Sequence, residues 1–148
     1  MEPHFYQVDV TWNTDRKGTM CSPELTQAAG HCIEVATPPE FPKGMPGIWS
    51  PEHLFTAAVS SCLMTTFLAI AENSKLDFKH FSCKSKGKLE QIDGKFMMSE
   101  VILEPTVIIT DEKDRERAER ILQKSEAACL ISNSVKSKVT MNATIQLV

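Results

Sequence analysis

The longest apolar stretch of the sequence runs from Leu54 to Ala71, eighteen residues without a charged side chain. Apolar residues occupy every face of the helix that this stretch would form, which is typical of a helix surrounded by protein. Ser50 is a favourable N-cap, and Pro51 then falls at the first helical position, where its missing N–H costs nothing. The pattern therefore predicts a core helix that begins at Pro51.

The same stretch meets the lower length limit for a membrane span. Five serine and threonine side chains dilute it, however, and no cluster of Lys or Arg flanks it. Strand-like segments also lie on both sides of it. A buried helix explains these features better than a transmembrane helix does.

Three strand-like segments and a loop precede this helix. Residues 5–12 alternate between apolar and polar positions and end at turn residues, so they predict a first strand. Residues 16–21 and 31–36 predict two further short strands. Residues 38–47 contain four prolines and two glycines, which excludes a regular helix or a central strand and predicts a stiff loop.

A hairpin is predicted after the helix. Two strand-like runs, residues 78–90 and 95–104, meet at Asp93-Gly94, which is a strong signal for a tight turn between antiparallel strands. A further β-rich stretch covers residues 106–110. Alternation over residues 139–147 predicts a last strand with one buried face.

A second, charged helix is predicted from about residue 112 to residue 128, with Asp111 as its cap. Its apolar and small residues share one face at helical spacing: Ala118, Ile121, Leu122, Ser125 and Cys129. We expect this face to pack on the first helix while the charged face meets water.

The order of these elements indicates the α+β class, with strands, a buried helix, a hairpin, a second helix and a last strand. The length of 148 residues favours one domain over residues 1–148. A helix that is apolar on every face needs more cover than one such subunit easily gives it. The pattern therefore also predicts a homodimer.

Charge and composition indicate which class of molecule the protein binds. A net charge of −3 with scattered Lys and Arg gives no basic patch for nucleic acid and no polybasic anchor for a membrane, so we expect a small-molecule partner. The N-terminus lacks the pattern of a signal segment, and the five cysteines include no CxxC motif, which favours the reducing cytoplasm. The four histidines, His4, His31, His53 and His80, are not clustered, so no metal site is expected.

Two cysteines lie on the helices that are expected to pack together. Cys62 follows Ser60-Ser61 and Cys129 follows Ala127-Ala128, and such small residues permit close approach. Two inert core cysteines remain the alternative, because free cysteine is among the most buried residue types. The other three cysteines, Cys21, Cys32 and Cys83, lie on strand-like segments without a signal for a partner.

Several motifs surround these cysteines. Residues 49–54 have the sequence WSPEHL, Ser60-Ser61-Cys62 follows, and residues 128–132 have the sequence ACLIS. With the early Thr11-Trp12 and the turn at residues 15–18, the chain resembles the OsmC/Ohr family (osmotically inducible protein C and organic hydroperoxide resistance protein) over nearly its whole length.

The resemblance implies an OsmC-like fold, with antiparallel sheets around two long central helices in an intertwined homodimer. It also implies a cytoplasmic thiol peroxidase that reduces organic hydroperoxides, and hydrogen peroxide less well, in oxidative stress defence. The implied enzyme holds no cofactor. Its reductant would be an external dithiol, typically a lipoyl group, free or carried by a protein.

The resemblance also assigns roles to four residues. Cys62 resembles the peroxidatic cysteine and Cys129 the resolving cysteine, and the two would form an intrachain disulfide. Glu52 resembles the helix-start glutamate, and Arg16 the arginine after the first strand. Leu130 departs from the pattern, because the best-known members have proline after the second cysteine.

The chemistry explains why such residues would be needed. A thiolate attacks one peroxide oxygen while the other departs as an alkoxide, so the site must hold Cys62 ionised and stabilise negative charge on oxygen. The Arg16 guanidinium would do both, and Glu52 would hold it through a bidentate pair. For Glu52 the alternative is an ordinary first-turn acid favoured by the helix dipole.

Helix geometry adds a constraint on Glu52. It lies ten residues before Cys62 on one predicted helix, which corresponds to about 15 Å along the axis. We therefore expect Glu52 to serve the Cys62 of the partner subunit. A competing hypothesis from another class is a non-catalytic dimer that binds an apolar small molecule at the subunit interface.

Overall fold

The structure is a computed structural model that describes residues 1–25 and 31–148. These residues divide into two compact units, residues 1–54 and residues 55–148. Helix α1 (Pro51–Asn73) begins in the first unit and continues into the second. The single domain expected over residues 1–148 stays a prediction.

The first unit is built on a three-stranded antiparallel meander. Its strands are β1 (Asp9–Thr14), β2 (Lys17–Cys21) and β3 (Cys32–Ala36), in the spatial order β1-β2-β3. The two predicted short strands are confirmed within one residue at their N-terminal ends, whereas β1 begins four residues later than predicted. Residues 38–47 form no helix or strand, as their prolines predicted.

The start of α1 has the predicted cap. The Ser50 hydroxyl accepts a hydrogen bond from the His53 backbone N–H at 3.2 Å, and the Ser50 carbonyl accepts from the Leu54 N–H at 3.0 Å. Ser50 is fully buried, and its hydroxyl satisfies a backbone donor that has no partner within the helix. Pro51 is the first helical residue, as predicted.

The second unit contains a long hairpin. Strands β4 (Phe78–Ile92) and β5 (Lys95–Ile109) pair antiparallel across a two-residue turn. Asp93 and Gly94 both have positive φ, 51° and 77°, which is the backbone of the turn that their sequence predicts. The separate β-rich stretch predicted at residues 106–110 is the C-terminal part of β5, which continues through Pro105.

The last predicted strand is two strands. Strands β6 (Lys138–Met141) and β7 (Thr144–Leu147) both pair parallel with β5, in one register. The break between them lies opposite Glu104 and Pro105 of β5, and proline has no backbone N–H to donate to a ladder. The alternation alone did not reveal this break, because its cause lies on the neighbouring strand.

Helix α2 (Arg115–Ala128) follows a short 3-10 turn over residues 112–114. The Asp111 side chain accepts from the Lys113 N–H at 3.0 Å, which confirms the predicted cap. The predicted inner face is also confirmed, since the same four helical residues are buried: Ala118, Ile121, Leu122 and Ser125. Cys129, which ends the helix, is buried as well.

Helix α1 buries one stripe in the core of the second unit. Phe67 and Ala71 pack in a cluster with residues of β5, α2 and β7, and Val59 and Leu63 pack in a second cluster with Val101 and Leu103. The two helices thus contribute to one hydrophobic cluster. Gly87 on β4 lets the sheet approach α1, because a Cβ there would lie 2.1 Å from the Thr56 hydroxyl.

A single chain leaves part of α1 uncovered, as the sequence led us to expect, and cover of the remaining faces by a partner subunit stays a prediction. Met64 and Leu68 are 40% and 42% exposed. By length and composition α1 could also cross a membrane, with a mean hydropathy of 1.9 over its most apolar window. The stripe packed on β5 and α2 agrees instead with the predicted core helix.

Candidate redox site

Two free cysteines, Cys62 and Cys129, meet inside the second unit. Cys62 lies in the middle of α1 and is 8% exposed, and Cys129 directly follows α2 and is fully buried. Each thiol perturbs the pKa of the other, so the two side chains are neighbours. The middle of α1 and the end of α2 therefore bring together the two cysteines that the sequence singled out.

The surroundings of Cys62 favour its thiolate. Burial by itself raises the pKa of the Cys62 thiol, because it removes water from the charged form. Four donors outweigh this effect: the Cys129 thiol, the Ile131 backbone N–H, the Thr66 hydroxyl and the Leu130 backbone N–H. The net result is a pKa below the ordinary value of a cysteine.

Cys129 shifts in the opposite direction. Burial raises the pKa of its thiol, and the neighbouring Cys62 raises it further, since only one of two contacting thiols ionises easily. The Ser132 hydroxyl and backbone N–H lower it, but by less. Cys62 is thus the member of the pair that ionises first, with Cys129 as a protonated donor beside it.

The turn after α2 supplies the backbone donors. The Asn133 N–H donates to the Cys129 carbonyl at 3.0 Å, and the Ser134 N–H donates to the Ile131 carbonyl at 2.9 Å. These two bonds fold residues 129–134 into a turn. Within this turn the N–H groups of Leu130 and Ile131 have no acceptor, and both donate to the Cys62 sulfur instead. Sequence reasoning missed these donors, because a backbone N–H carries no residue signature.

Thr66 was also missed, although its signal was present. It lies four residues after Cys62 on α1, and its Oγ1 is 3.9 Å from the Cys62 sulfur. Residues four apart face the same side of a helix. Helical spacing from Cys62 alone would therefore have identified it.

Arg16 and Glu52 lie together in the first unit. The Thr37 N–H donates to the Arg16 carbonyl at 3.1 Å, and the Ala36 N–H donates to the Trp49 carbonyl at 2.8 Å. The backbone at Arg16 and the backbone just before α1 are therefore both hydrogen-bonded to the end of β3. Arg16 and Glu52 line a cavity of about 270 Å³ whose other lining residues are mainly apolar. The cavity combines one cation, one carboxylate and an apolar wall.

The expectation for two other cysteines was wrong. Cys21 and Cys32, for which the sequence gave no partner signal, form a disulfide between β2 and β3. A signal did exist, because the predicted strands 16–21 and 31–36 place one cysteine at each end of the same connection. Cys83 is free, half-buried on β4, with its sulfur 3.5 Å from the Ser85 hydroxyl.

Within the described ranges 1–25 and 31–148, no group of three or more His, Cys, Asp or Glu side chains is arranged to hold a metal ion. Of the four histidines, His53 has a structural contact at the start of α1. Its Nδ1 is 2.7 Å from the Ser50 hydroxyl, and its ring lies edge-on to Trp49.

Comparison with known proteins identifies the family. The model of the OsmC-like protein family matches residues 44–144. The chain belongs to the OsmC family. The resemblance found in the sequence is thereby confirmed, and the match includes α1, the hairpin and α2.

Individual OsmC relatives are distant. The protein YmaD of Bacillus subtilis, whose name calls it uncharacterized, is 22% identical over 144 residues, 95% of this chain and 93% of YmaD. An OsmC-like protein of unknown function from Vibrio cholerae has a solved structure that matches with a TM-score of 0.83 at 24% identity, over 95% of this chain and 99% of that one.

A further solved structure has a functional name. The organic hydroperoxide resistance protein of Elizabethkingia anophelis matches with a TM-score of 0.74 at 21% identity, over 99% of this chain and 100% of that one. At this identity the likeness concerns the fold. It confirms the α+β, OsmC-like fold that the sequence predicted.

Proposed function

We propose that this OsmC protein is a thiol peroxidase that reduces organic hydroperoxides, and hydrogen peroxide less well, in oxidative stress defence in the cytoplasm. One observation carries the proposal: two free, buried cysteines are neighbours in the second unit, and their surroundings lower the pKa of Cys62 and raise that of Cys129. A peroxidatic cysteine has to be ionised, and a resolving cysteine has to bring a proton and a second sulfur.

The reaction follows from this pair. The Cys62 thiolate attacks the terminal oxygen of the hydroperoxide, the O–O bond breaks, and the alkoxide leaves and takes a proton to become an alcohol. Cys62 is then a sulfenic acid. The Cys129 sulfur attacks it, water departs, and an intrachain disulfide forms. An external dithiol, as a small molecule or a lipoyl-bearing protein, restores both thiols by exchange and supplies the two electrons.

Arg16 and Glu52 receive roles in the same proposal. The guanidinium would stabilise the thiolate and the departing alkoxide, and Glu52 would orient it. Glu52 and Cys62 lie ten residues apart on one uninterrupted helix, which supports a composite site in which Glu52 of one subunit serves Cys62 of its partner. A homodimer is therefore part of the proposal.

Titration of thiols tests the peroxidase activity. Reduced protein carrying Cys21→Ser and Cys32→Ser, which removes the second cysteine pair, is treated with cumene hydroperoxide or hydrogen peroxide, and the remaining thiols are counted after denaturation without reductant. We expect the loss of two thiols per chain, at a higher rate with the organic peroxide, and no such loss in Cys62→Ser. The half-buried Cys83 offers a matched control, since Cys83→Ser should lose thiols like the wild type. Unchanged thiols at equimolar peroxide would refute the activity.

Subunit mixing tests the composite site. Cys62→Ser and Glu52→Ala chains are first shown to be inactive separately and are then mixed under conditions that allow exchange. In a mixed dimer, the composite arrangement places both lesions in one site and leaves the other site intact. Activity should therefore partly return. A mixture as inactive as its parents would count against Glu52 acting across the interface.

A second candidate function is a non-catalytic dimer that binds an apolar ligand. The observation that favours it is the exposure of Met64 and Leu68 on α1. Under this hypothesis Cys62→Ser leaves binding of an apolar probe unchanged and peroxide consumes no thiol. The titration above therefore separates the two functions.

A further inference from the structure

A second cysteine pair lies in the first unit, outside the site described above. Cys21 is the last residue of β2 and Cys32 the first residue of β3, and the two are register partners in the antiparallel ladder, joined by a disulfide. Neither residue belongs to the proposed peroxide reaction. What this pair does is therefore a separate question.

The ladder remains paired on both sides of the disulfide. The Cα atoms of Cys21 and Cys32 are 4.2 Å apart, the spacing of partners that exchange no backbone hydrogen bonds. The Ser22 N–H donates to the His31 carbonyl at 3.3 Å beyond the pair, and β2 and β3 stay in register from Cys21 back to Lys17. Backbone pairing therefore continues on both sides of the disulfide, and we expect the dithiol form to keep this register.

One of the two cysteines is open to attack. Cys32 is exposed, whereas Cys21 is half-buried. Among the described residues, β3 pairs on its other edge only through a single bridge between Val35 and Trp49, three residues beyond Cys32. Cys32 is therefore the more exposed member of the pair, and access from solvent is one of the conditions for fast exchange.

We propose that Cys21–Cys32 is a second, independent redox centre that exchanges with small or protein-bound dithiols. The thiolate of the dithiol attacks the Cys32 sulfur, the S–S bond breaks, and Cys21 leaves as a thiolate and takes a proton. The second thiol of the reductant then attacks the mixed disulfide and releases Cys32. The protein gains two electrons and two protons, and the dithiol becomes a cyclic disulfide. An oxidised dithiol reverses each step.

The first experiment measures this equilibrium in the folded protein. Cys62→Ser/Cys129→Ser protein is equilibrated with mixtures of reduced and oxidised dithiothreitol, quenched in acid, alkylated and analysed by mass spectrometry. The Cys21–Cys32 disulfide fraction should follow the dithiothreitol ratio along one curve from both directions, with unchanged far-ultraviolet circular dichroism. Cys83, which lacks a register partner of its own type, should stay a thiol throughout.

Two results would overturn the proposal. A disulfide that resists reduction until urea is added would be a purely structural cross-link. If Cys21 and Cys32 remain thiols in the most oxidising mixture, the disulfide between them does not form. Because Cys62 and Cys129 are absent from this variant, neither result bears on the proposed peroxidase activity.

The second experiment tests the site of attack. In the same background, reduced Cys21→Ser and Cys32→Ser chains are mixed with an aromatic disulfide, and release of the coloured thiol is followed. The chain that retains Cys32 should react several-fold faster than the chain that retains Cys21. Equal rates, or a faster Cys21, would contradict attack at Cys32.

Discussion

The two cysteine pairs of this protein lie in different environments, and the comparison shows how the surroundings of a cysteine pair affect its thiol chemistry. Cys62 and Cys129 are far apart in sequence, buried, and brought together by the packing of two helices. Cys21 and Cys32 are separated by 11 positions, one half-buried and the other exposed, and are brought together by strand register. The first pair is held as two thiols and the second as a disulfide.

The difference lies in what surrounds the sulfur atoms. Cys62 has hydrogen-bond donors from a helix and a turn, which stabilise its thiolate in a protected place. Cys32 has solvent in front of it and a partner directly across the ladder. We infer that the buried pair is suited to a reaction shielded from solvent, and the exposed pair to exchange with thiols in solution.

The largest expected effect is on hydroperoxide turnover, which should depend on the Cys62–Cys129 pair and not on the Cys21–Cys32 pair. With a dithiol as reductant, Cys62→Ser should lower hydroperoxide turnover to the uncatalysed rate, because the nucleophile is gone. The double variant Cys21→Ser/Cys32→Ser should turn over close to the wild-type rate. A coupled assay of alcohol formation measures both. Loss of turnover in the double variant would show that the two pairs are not independent.

A second prediction concerns the fate of the oxidised sulfur. Cys129→Ser should consume the first equivalent of peroxide and then proceed to sulfinic acid, because no thiol traps the sulfenic acid. Intact-mass spectrometry distinguishes these states. Non-reducing gels of the oxidised wild type should show monomers, since the disulfide is intrachain. A reversible cycle without Cys129 would remove its assigned role.

The third prediction uses stability instead of activity. In the Cys62→Ser/Cys129→Ser background, oxidation of Cys21 and Cys32 closes a short loop and should stabilise the fold by about 3 kcal/mol relative to the dithiol. Urea unfolding with and without reductant measures the difference. The matched control adds Cys21→Ala and Cys32→Ala, which should make the two conditions identical. Equal midpoints for the unmodified pair would contradict the prediction.

The smallest expected effect concerns a single backbone donor. Leu130→Pro removes one N–H that stabilises the Cys62 thiolate, so the pKa of Cys62 should rise towards its ordinary value. Cys129 has the extended backbone (φ −66°, ψ 110°) that a following proline requires, so the fold should tolerate the change. Leu130→Ala, at a position 67% exposed, keeps the N–H and serves as control.

The pH dependence of alkylation measures this effect. Because a lowered pKa keeps the thiolate populated at lower pH, the wild-type rate should reach half its maximum below the value of about 8.5 of an ordinary cysteine. The rate falls as pH drops through that point. Leu130→Pro should move the midpoint upwards and slow alkylation at neutral pH. Identical profiles for all three chains would exclude the Leu130 N–H as a donor.

Features that depend on neighbours in sequence were predictable. The Ser50 cap, the Asp93-Gly94 turn and the buried face of α2 each follow from a few consecutive residues, and each was found where expected. The contact between Cys62 and Cys129 followed from one further step, the packing of two helices.

Features that depend on a distant partner were not predictable. The break between β6 and β7 lies opposite Pro105 on β5, which has no backbone N–H to donate to the ladder. The donors on Cys62 are backbone groups oriented by the turn after α2. The disulfide required knowledge of which residues face each other across β2 and β3.

The β4–β5 hairpin also sets an order of events during synthesis of the chain. Its strands are consecutive and close through two residues, so little entropy is lost on pairing, whereas β6 and β7 reach β5 only after α2 has been crossed. On a ribosome, the hairpin would therefore be paired while the last residues are still inside the exit tunnel. Until they emerge, one edge of β5 stays open to other chains, which is the interval when a nascent strand most readily aggregates.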